Sequence, residues 1–272
     1  MRPAMTRAVL KALSKVAGNR GSQSFLEKFV AAAQYLQGIG SGAAVGSSGE
    51  PAILAKLAAR AQGDERTLCI FDVGANTGQF LKSACEAFRH RRFHVHSFEP
   101  SLAAYSQLQE AAKSYNNVTI NHFALGHKAG EQELFYDVPG SALASLNQRR
   151  LTHFGVDMRL SETVKVETLD GYCKQRGIEY VDLLKLDVEG HELAVLNGAS
   201  GMFRDSRIGM VTFEFGGCNI DSRTFVQDFF YFFLDQGMRI ARITPSGFCY
   251  ELLSYREILE QFRTTNFVCY RD

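Results

Sequence analysis

Four acidic residues stand at or near the carboxyl ends of predicted parallel strands: Asp72, Glu99, Asp187 and Glu214. Carboxylates in a cleft can hold ligand hydroxyl groups, bind a divalent cation or take a proton from a reacting hydroxyl. In an open doubly wound sheet, the carboxyl ends of the strands line the ligand crevice. We therefore expect these four side chains to converge on one site.

A glycine-rich turn follows the first of these acids. Residues 68–79, LCIFDVGANTGQ, are typical of a strand buried on both faces, a turn of small residues and the start of a helix. Glycines let the backbone approach a ligand closely, and the first N–H groups of a helix point at it. The turn is neither GxGxxG nor GxxxxGK[ST], and no lysine follows Gly78 to counter a triphosphate. An ordinary tight turn is the alternative.

Glu99 lies twenty-five residues after Gly74. An acid at this spacing, at the end of the second strand, can hold the two hydroxyl groups of a ribose. Pro100 fixes the turn that aims the carboxylate. The alternative is a surface glutamate in a turn.

A second informative stretch is residues 181–191, VDLLKLDVEGH, in which Asp187, Glu189 and His191 alternate. The acid and the imidazole could take a proton from a hydroxyl. Alternatively, the two carboxylates could bind a divalent cation with Glu214 as a third ligand. His191 could also be a helix-start residue that bonds to local backbone, so both the base and the metal are open.

Strand and helix patterns alternate from Leu68 onward, which predicts a mainly parallel sheet with helices on both faces. A helix is expected at 254–262. The segment 139–160 is irregular and carries Arg149, Arg150 and Arg159, which hint at an anionic or glycan ligand although loop arginines are commonly solvated. The predicted strands span 68–73, 93–98, 118–125, 131–136, 181–187, 208–215, 238–243 and 267–270.

Composition limits the class of protein. The 272 residues suffice for one domain of ~200 residues plus an appendage. Thirty basic and twenty-nine acidic residues give no general argument for nucleic acid binding. The six cysteines form no CxxC pair and are expected to be buried thiols in a reducing compartment. Since no stretch of 18 apolar residues occurs, we predict no transmembrane segment and a cytoplasmic protein.

The first 49 residues are predicted to be a helical extension with a linker, followed by a domain over 50–272. The first 26 residues carry five basic residues and no acid, as in a transit peptide, a membrane-surface helix or a partly solvated terminal helix. An amphipathic helix is expected over 25–37, and GIGSGAAVGSSG at 38–49 is either a linker or a loop at the mouth of the site. The helical arm could pair with another subunit to form a homo-oligomer.

Five motifs, DVGANTGQF, SFEPS, FALGHKAG, VETLDGYC and above all DLLKLDVEGHELAVLNGA, resemble the FkbM-type S-adenosylmethionine-dependent methyltransferases over residues 67–217. The resemblance implies a class I methyltransferase (Rossmann-like) α/β fold with a doubly wound seven-stranded sheet, one strand of it antiparallel. It also implies methylation of a hydroxyl on a sugar, glycan or natural-product scaffold.

The resemblance further assigns residues to S-adenosylmethionine. The first strand end and glycine turn would contact its methionine end, Glu99 its ribose, and the end of the third strand its adenine, while Asp187 would face the methyl group and the acceptor. The cofactor-binding residues are thus predicted to be Asp72, Gly74, Ala75, Asn76, Gly78, Glu99, Pro100, Ala124, Leu125 and Asp187.

The sequence therefore predicts methyl transfer to an oxygen of a small-molecule or glycan acceptor, with Asp187 or His191 as the general base. Glu189 and Glu214 would orient the acceptor or hold a cation such as Mg²⁺. Three rivals are a nucleotide-dependent oxidoreductase or epimerase, a non-catalytic cofactor-binding module and an RNA methyltransferase. The last is disfavoured because no basic, aromatic-laced stripe occurs.

Overall fold

The structure, a computed structural model, describes residue 11 and residues 14–42, 49–63 and 65–271. Much of the basic N-terminal stretch and residues 43–48 of the glycine/serine segment lie outside the described residues, and so do the predictions made for them. The helices are α1 (Arg20–Leu36), α2 (Glu50–Arg60), α3 (Gln79–Ala87), α4 (Leu102–Ala112), α5 (Leu169–Arg176), α6 (Glu192–Asn197), α7 (Ser200–Arg204), α8 (Cys218–Ser222) and α9 (Val226–Asp235). The strands are β1 (Leu68–Val73), β2 (Phe93–Phe98), β3 (Val118–Asn121), β4 (Ala124–Leu125), β5 (Gly130–Tyr136), β6 (Leu160–Glu167), β7 (Val181–Leu186), β8 (Ile208–Phe215), β9 (Arg239–Ile243), β10 (Cys249–Glu251) and β11 (Thr265–Tyr270).

The main sheet has the strand order β10-β9-β11-β8-β7-β1-β2-β3. Strands β3, β2, β1, β7 and β8 pair in parallel, and β11 runs antiparallel between β8 and β9. This confirms the predicted α/β fold class. The predicted strand count of seven is wrong by one, because the short β10 folds back on β9 as an antiparallel hairpin at the edge. Three residues are too few to give a readable alternation.

The predicted helix at 254–262 is also wrong. The described chain there contains only one 3₁₀ turn, Glu257–Leu259. The side chain of Glu260 instead accepts the backbone N–H groups of Val226 and Gln227, both at 2.9 Å. The segment is thus used to cap the first turn of α9, which satisfies N–H groups that a helix start leaves without partners.

The predicted strand 118–125 divides into two. Strand β3 belongs to the main sheet, whereas β4 joins β6 and β5 in a separate three-stranded sheet. Between them His122 stacks on Tyr105 with ring centroids 4.5 Å apart, and Phe123 packs against Phe98 at 5.7 Å. Two rings that pack on different elements bend the chain out of the main sheet toward the irregular segment.

Alternate side chains of the central strands pack into two hydrophobic cores on opposite faces of the main sheet. Phe71 joins the core formed with α5, α6, α7 and α9, whereas its neighbour Ile70 joins the core formed with α2, α3 and α4. Each fully buried side chain of this size contributes about 1.5–3 kcal/mol. Burial on both faces explains the nearly continuous apolar run that marks β1 in the sequence.

The residues after α1 pack beside Thr264, which precedes β11, and Ile243, which ends β9. Ile39 is buried, and the N–H of Gly40 donates to the carbonyl of Thr264 at 2.8 Å. A Cβ on Gly38 would lie 2.1 Å from the carbonyl oxygen of Ile243. This part of the predicted linker is therefore a packed connection, whereas α1 itself has no buried residue. None of the helices in the described ranges is long and apolar enough to cross a bilayer.

Candidate functional site

One cavity of about 760 Å³ opens at the carboxyl ends of β1, β2, β7 and β8. Glu99, Asp187 and Glu214 lie on its wall, as the strand-end argument predicts. Most of the other predicted site residues are there too: Gly74, Ala75, Asn76, Pro100, Ala124, Leu125, Glu189 and His191. Asp72 and Gly78 do not line the cavity.

The glycine turn is held by its backbone. The N–H groups of Gly74 and Ala75 both donate to the carbonyl of Phe98 at 3.0 Å, which ties β1 to the end of β2. Gly74 has a φ of +80°, and a Cβ there would lie 1.8 Å from the carbonyl oxygen of Asp187. Glycine is therefore required at 74, because the turn touches the backbone that carries the second acidic motif.

Gly78 and Asp72 support the wall from behind. Gly78, with φ +86°, is the N-cap of α3 and packs where a Cβ would meet Leu108 at 3.1 Å. Asp72 is fully buried, and its Oδ1 lies 3.3 Å from Nζ of Lys185. Burial raises the pKa of Asp72 although Lys185 opposes the shift. Asp72 thus lies beneath the turn and not on the cavity wall, and its contact with the methionine end stays a prediction.

Lys185 is a cavity residue that the sequence reasoning missed. Its Nζ lies 3.3 Å from Asp72 Oδ1 and 3.3 Å from Asp187 Oδ2, and it donates to the carbonyl of Gly74 at 3.4 Å. Burial lowers its pKa, but Asp187 and Asp72 outweigh burial and raise it overall. Lys185 therefore stays protonated and links the glycine turn to the acidic motif. Its only sequence signal is a charge inside an apolar strand.

Glu99 is buried at the start of the turn before α4. Its Oε2 accepts the N–H of Asn76 and its Oε1 accepts the N–H of Ser101, both at 2.8 Å. Burial raises its pKa to about 7, although the two backbone hydrogen bonds oppose the shift. Each carboxylate oxygen has a further lone pair. Glu99 can therefore accept two hydroxyl donors from the cavity.

Asp187, Glu189 and Glu214 form a carboxylate cluster on the cavity wall, with oxygens within 4.8 Å of one another. Burial raises the pKa of Glu189 to about 8, helped by Asp187 and opposed by Arg149. Burial and the neighbouring carboxylates also raise the pKa of Glu214 well above its usual value. Glu189 has a φ of +51°, a strained value for a residue with a side chain. Burial, together with mutual repulsion, thus makes the cluster hold protons or attract a cation.

Arg149 comes to this cluster from the irregular segment. Its side chain is 7% exposed, its guanidinium pairs with Glu189, and its Nε lies 3.8 Å from Asp221 Oδ2. Ser145 from the same segment donates to the carbonyl of Glu189 at 2.7 Å. Arg149 is therefore a buried counter-charge within the protein, whereas Arg150 and Arg159 are exposed.

His191 lies on the wall beside the cluster and makes no capping hydrogen bond at the start of α6. Its buried Nε2 has no hydrogen-bond partner. Burial, and then His127, lower its pKa to about 4, so the ring is neutral near neutral pH. His191 thus stands at the helix start, as the alternative predicts, but its side chain does not cap the helix. The neighbouring Glu192 instead accepts the N–H groups of Val188 and Gly190 and holds the turn.

Three segments outside the recognised motifs complete the cavity. The segment after α1 contributes Gly40 and Gly42, the C-terminal part contributes residues 262–264 and Asn266, and Glu50 begins α2. For Gly40 and Gly42, a loop at the mouth of the site is one of the two predictions made for residues 38–49, whereas no motif links Glu50 or residues 262–266 to the site. The irregular segment and its neighbour β5 supply apolar wall residues Leu134, Leu143, Leu146, Leu151, Phe154 and Val156.

Known proteins match this chain over the region that contains these motifs. Residues 72–240 match the model of the family described as Methyltransferase FkbM domain. A curated relative, 31-O-demethyl-FK506 methyltransferase FkbM of Streptomyces tacrolimicus, is 30% identical over 155 residues, which are 47% of this chain and 58% of that protein. The chain thus spans little more than half the length of that relative.

Two solved structures are similar to the described chain. The methyltransferase FkbM of Methylobacillus flagellatus KT has a TM-score of 0.48 at 16% identity, over 80% of this chain and 48% of that one. SMU.1697c, a putative methyltransferase from Streptococcus mutans in complex with SAH, has a TM-score of 0.42 at 9% identity, over 81% of this chain and 97% of that one.

Proposed function

Because the chain belongs to the methyltransferase FkbM domain family, we propose that it is an S-adenosylmethionine-dependent O-methyltransferase that acts on a hydroxyl of a sugar, glycan or natural-product scaffold. The observation that carries this proposal is a single cavity lined by the glycine turn, Glu99 and the carboxylate cluster. The turn and Glu99 suit a nucleoside-bearing cofactor. The cluster suits removal of a proton from a hydroxyl.

The residues present fit the cofactor. A cavity of about 760 Å³ is within the usual range for a cofactor and a small acceptor. The backbone of Gly74 and Ala75 lies on the cavity wall, and Glu99 has acceptor capacity for the ribose hydroxyls. Ala124 and Leu125 offer a small apolar wall for the adenine. When bound, S-adenosylmethionine supplies an electrophilic methyl group.

Asp187 is the base that we favour. Its side chain is 41% exposed on the cavity wall, and Lys185 holds one of its oxygens. Lys185 cannot take a proton because its raised pKa keeps it charged, and the Nε2 atom of His191 is buried. Removal of the hydroxyl proton is typically worth ~10²–10⁴-fold, and alignment of the acceptor oxygen contributes ~7–11 kcal/mol.

The acceptor is proposed to be uncharged around the reacting hydroxyl. Three clustered carboxylates repel an anion, and Arg149, the buried arginine of the cavity wall, is already paired with Glu189. The apolar residues of the irregular segment can cover the carbon surface of a ring system. The name of the curated relative places the methyl group on an oxygen, which supports oxygen as the accepting atom here.

A metal-assisted version of this reaction is a second candidate. The carboxylate cluster offers three oxygen ligands within 4.8 Å, which is suitable for Mg²⁺. A cation there would displace the protons that Glu189 and Glu214 otherwise hold. Added EDTA should abolish turnover in this version and leave it unchanged in the metal-free version.

The test has a binding arm and a transfer arm. S-adenosylhomocysteine should raise the unfolding temperature and NAD should not, because a ligand that binds only the folded state stabilises it. With S-adenosylmethionine carrying a ¹³C-methyl group, NMR of reactions with hydroxylated scaffolds should detect an O-methyl carbon. Stabilisation by NAD alone would favour an oxidoreductase or epimerase, and cofactor binding without transfer to any acceptor would favour a non-catalytic module.

A further inference from the structure

Helix α1 turns its polar side toward the protein body. Gln34 exchanges hydrogen bonds with Gln261 and Arg263, both at 2.7 Å. With about 3.6 residues per turn, Phe25 lies on the side opposite Gln34. Phe25 is accordingly 67% exposed. This is the reverse of an ordinary surface helix, which buries its apolar side against the core.

The exposed side of α1 is a continuous apolar stripe. Phe29 is 63% exposed and Leu36 is 74% exposed, and the rings of Phe25 and Phe29 stack with centroids 6.5 Å apart. Exposed contiguous apolar surface of this kind marks an interaction site. The stripe consists of Phe25, Phe29 and Leu36, and the exposed Leu26 and Val30 lie on its flank.

The charge distribution along the chain indicates which kind of partner could cover this stripe. The first 26 residues hold five basic residues and no acid, so twenty-five basic and all twenty-nine acidic residues lie after them. Among the described residues of this stretch, Lys11, Lys15 and Arg20 are exposed. A second copy of the chain would bring the same positive charges against the first, which opposes pairing. An anionic lipid surface complements them and repels the net-acidic remainder.

We propose that α1 docks the protein on anionic lipid bilayers, with the apolar stripe in the boundary between headgroups and acyl chains and the basic residues among the headgroups. The chain continues from α1 directly into Gly40 and Gly42 on the cavity wall. Docking would therefore hold the mouth of the cavity close to the membrane. The proposal is independent of the reaction that the cavity catalyses.

Cosedimentation of the full chain with vesicles tests the proposal. We expect binding to vesicles of phosphatidylcholine with phosphatidylglycerol, weak binding to phosphatidylcholine alone, and release at high salt. The double variant Phe25→Ser/Phe29→Ser should bind at least about tenfold more weakly. Phe248→Ser is the matched control, because Phe248 and Phe29 are both 63% exposed and Phe248 lies on the β9–β10 hairpin.

Leu36→Ser repeats the test at the other end of the stripe should the double variant fail to fold. Absence of binding, equal binding to both kinds of vesicle, or equal binding by the double variant and the wild type would each overturn the proposal. Sedimentation equilibrium supplies the remaining outcome. A dimer that the double variant dissociates, without vesicle binding by the wild type, would assign the stripe to a second copy instead.

Discussion

The two halves of the cavity are built by different means. The glycine-loop half, residues 73–76 with Glu99 and Pro100, is fixed by backbone hydrogen bonds between neighbouring strand ends. The acid half, Asp187, Glu189 and Glu214 with Arg149, is fixed by charges from segments far apart in the chain. The glycine-loop half can therefore bind the invariant part of a ligand with little adjustment. In the acid half, a change in any one charge alters the electrostatic balance of the others.

This difference suggests a division of tasks. The glycine-loop half consists of paired backbone groups and of Glu99, which two backbone N–H groups hold in place, so this half is suited to holding a ligand. Carboxylates with raised pKa values can exchange protons with an acceptor or a cation. The variants below, from the largest expected effect to the smallest, test whether binding and chemistry separate between the two halves.

Asp187→Asn should remove chemistry while leaving much of the binding. We expect kcat to fall by ~10²–10⁴-fold because an amide cannot take the proton. Affinity for S-adenosylhomocysteine should fall much less, because the amide oxygen still accepts hydrogen bonds. Single-turnover transfer and calorimetry measure the two effects. The control is Asp205→Asn, with 43% exposure against 41% and a position off the cavity wall. An unchanged kcat would place the base elsewhere.

Gly74→Ala should break the contact between the halves. The new Cβ would lie 1.8 Å from the carbonyl of Asp187, so backbone must move in both the turn and the acidic motif. Gly63→Ala is the control, because Gly63 has a φ of +86° with no atom within 4 Å of a new Cβ. We expect Gly74→Ala to lose about 1–3 kcal/mol more in the free energy of unfolding, together with cofactor affinity. Equal losses in denaturant titrations would mean that only the backbone angle matters.

Glu99→Gln should weaken binding with little change in the chemical step. We expect affinity for S-adenosylhomocysteine to fall roughly tenfold to a hundredfold, because the hydrogen bonds from its hydroxyl groups to a carboxylate are lost. The control is Glu110→Gln, at a side chain 70% exposed on α4. Loss of kcat with intact affinity would contradict the assignment.

The same variant gives a pH test. The pKa of Glu99 in the folded protein is about 7, above its ordinary 4.5, so the protonated form adds stability below the lower value. This contribution is lost as the pH rises through about 7. Without ligand, the wild type should therefore lose stability relative to Glu99→Gln over this range. Its affinity for S-adenosylhomocysteine should rise over the same range, whereas that of Glu99→Gln should stay flat.

Arg149→Met should disturb only the acid half. Glu189 loses the positive charge beside it, but with a pKa of about 8 it is mostly protonated at neutral pH, which limits the loss to about 1–2 kcal/mol. The loss of stability should grow above about pH 8, because Glu189 of the wild type ionises there beside Arg149, whereas Glu189 of the variant would ionise without a counter-charge. Urea titrations on both sides of that pH measure it. Arg150→Met, at the exposed neighbour, should be neutral, and a loss that is independent of pH would contradict the pairing.

The sequence by itself determined the alternating fold, the strand ends, and the glycine turn and acidic residues of the cavity wall. The reason is local: burial on both faces makes β1 and β7 apolar runs, and each run stops where an acid meets a turn. Strands 93–98 and 208–215 have the predicted bounds, and Glu99, Asp187 and Glu214 meet because parallel strands end at one edge.

Only the tertiary structure decided how those residues are balanced. Asp72 lies behind the cavity wall, where Lys185 pairs with it. Arg149 is a buried counter-charge because the irregular segment folds over Glu189, and Asn266 lines the cavity beside Thr264, which accepts the N–H groups of Gly40 and Gly42. For Gly40 and Gly42, this packing decides between the linker and the loop at the mouth of the site, which the sequence left open. Such contacts join positions far apart in sequence and depend on burial and distance, neither of which has a periodic signature along the chain.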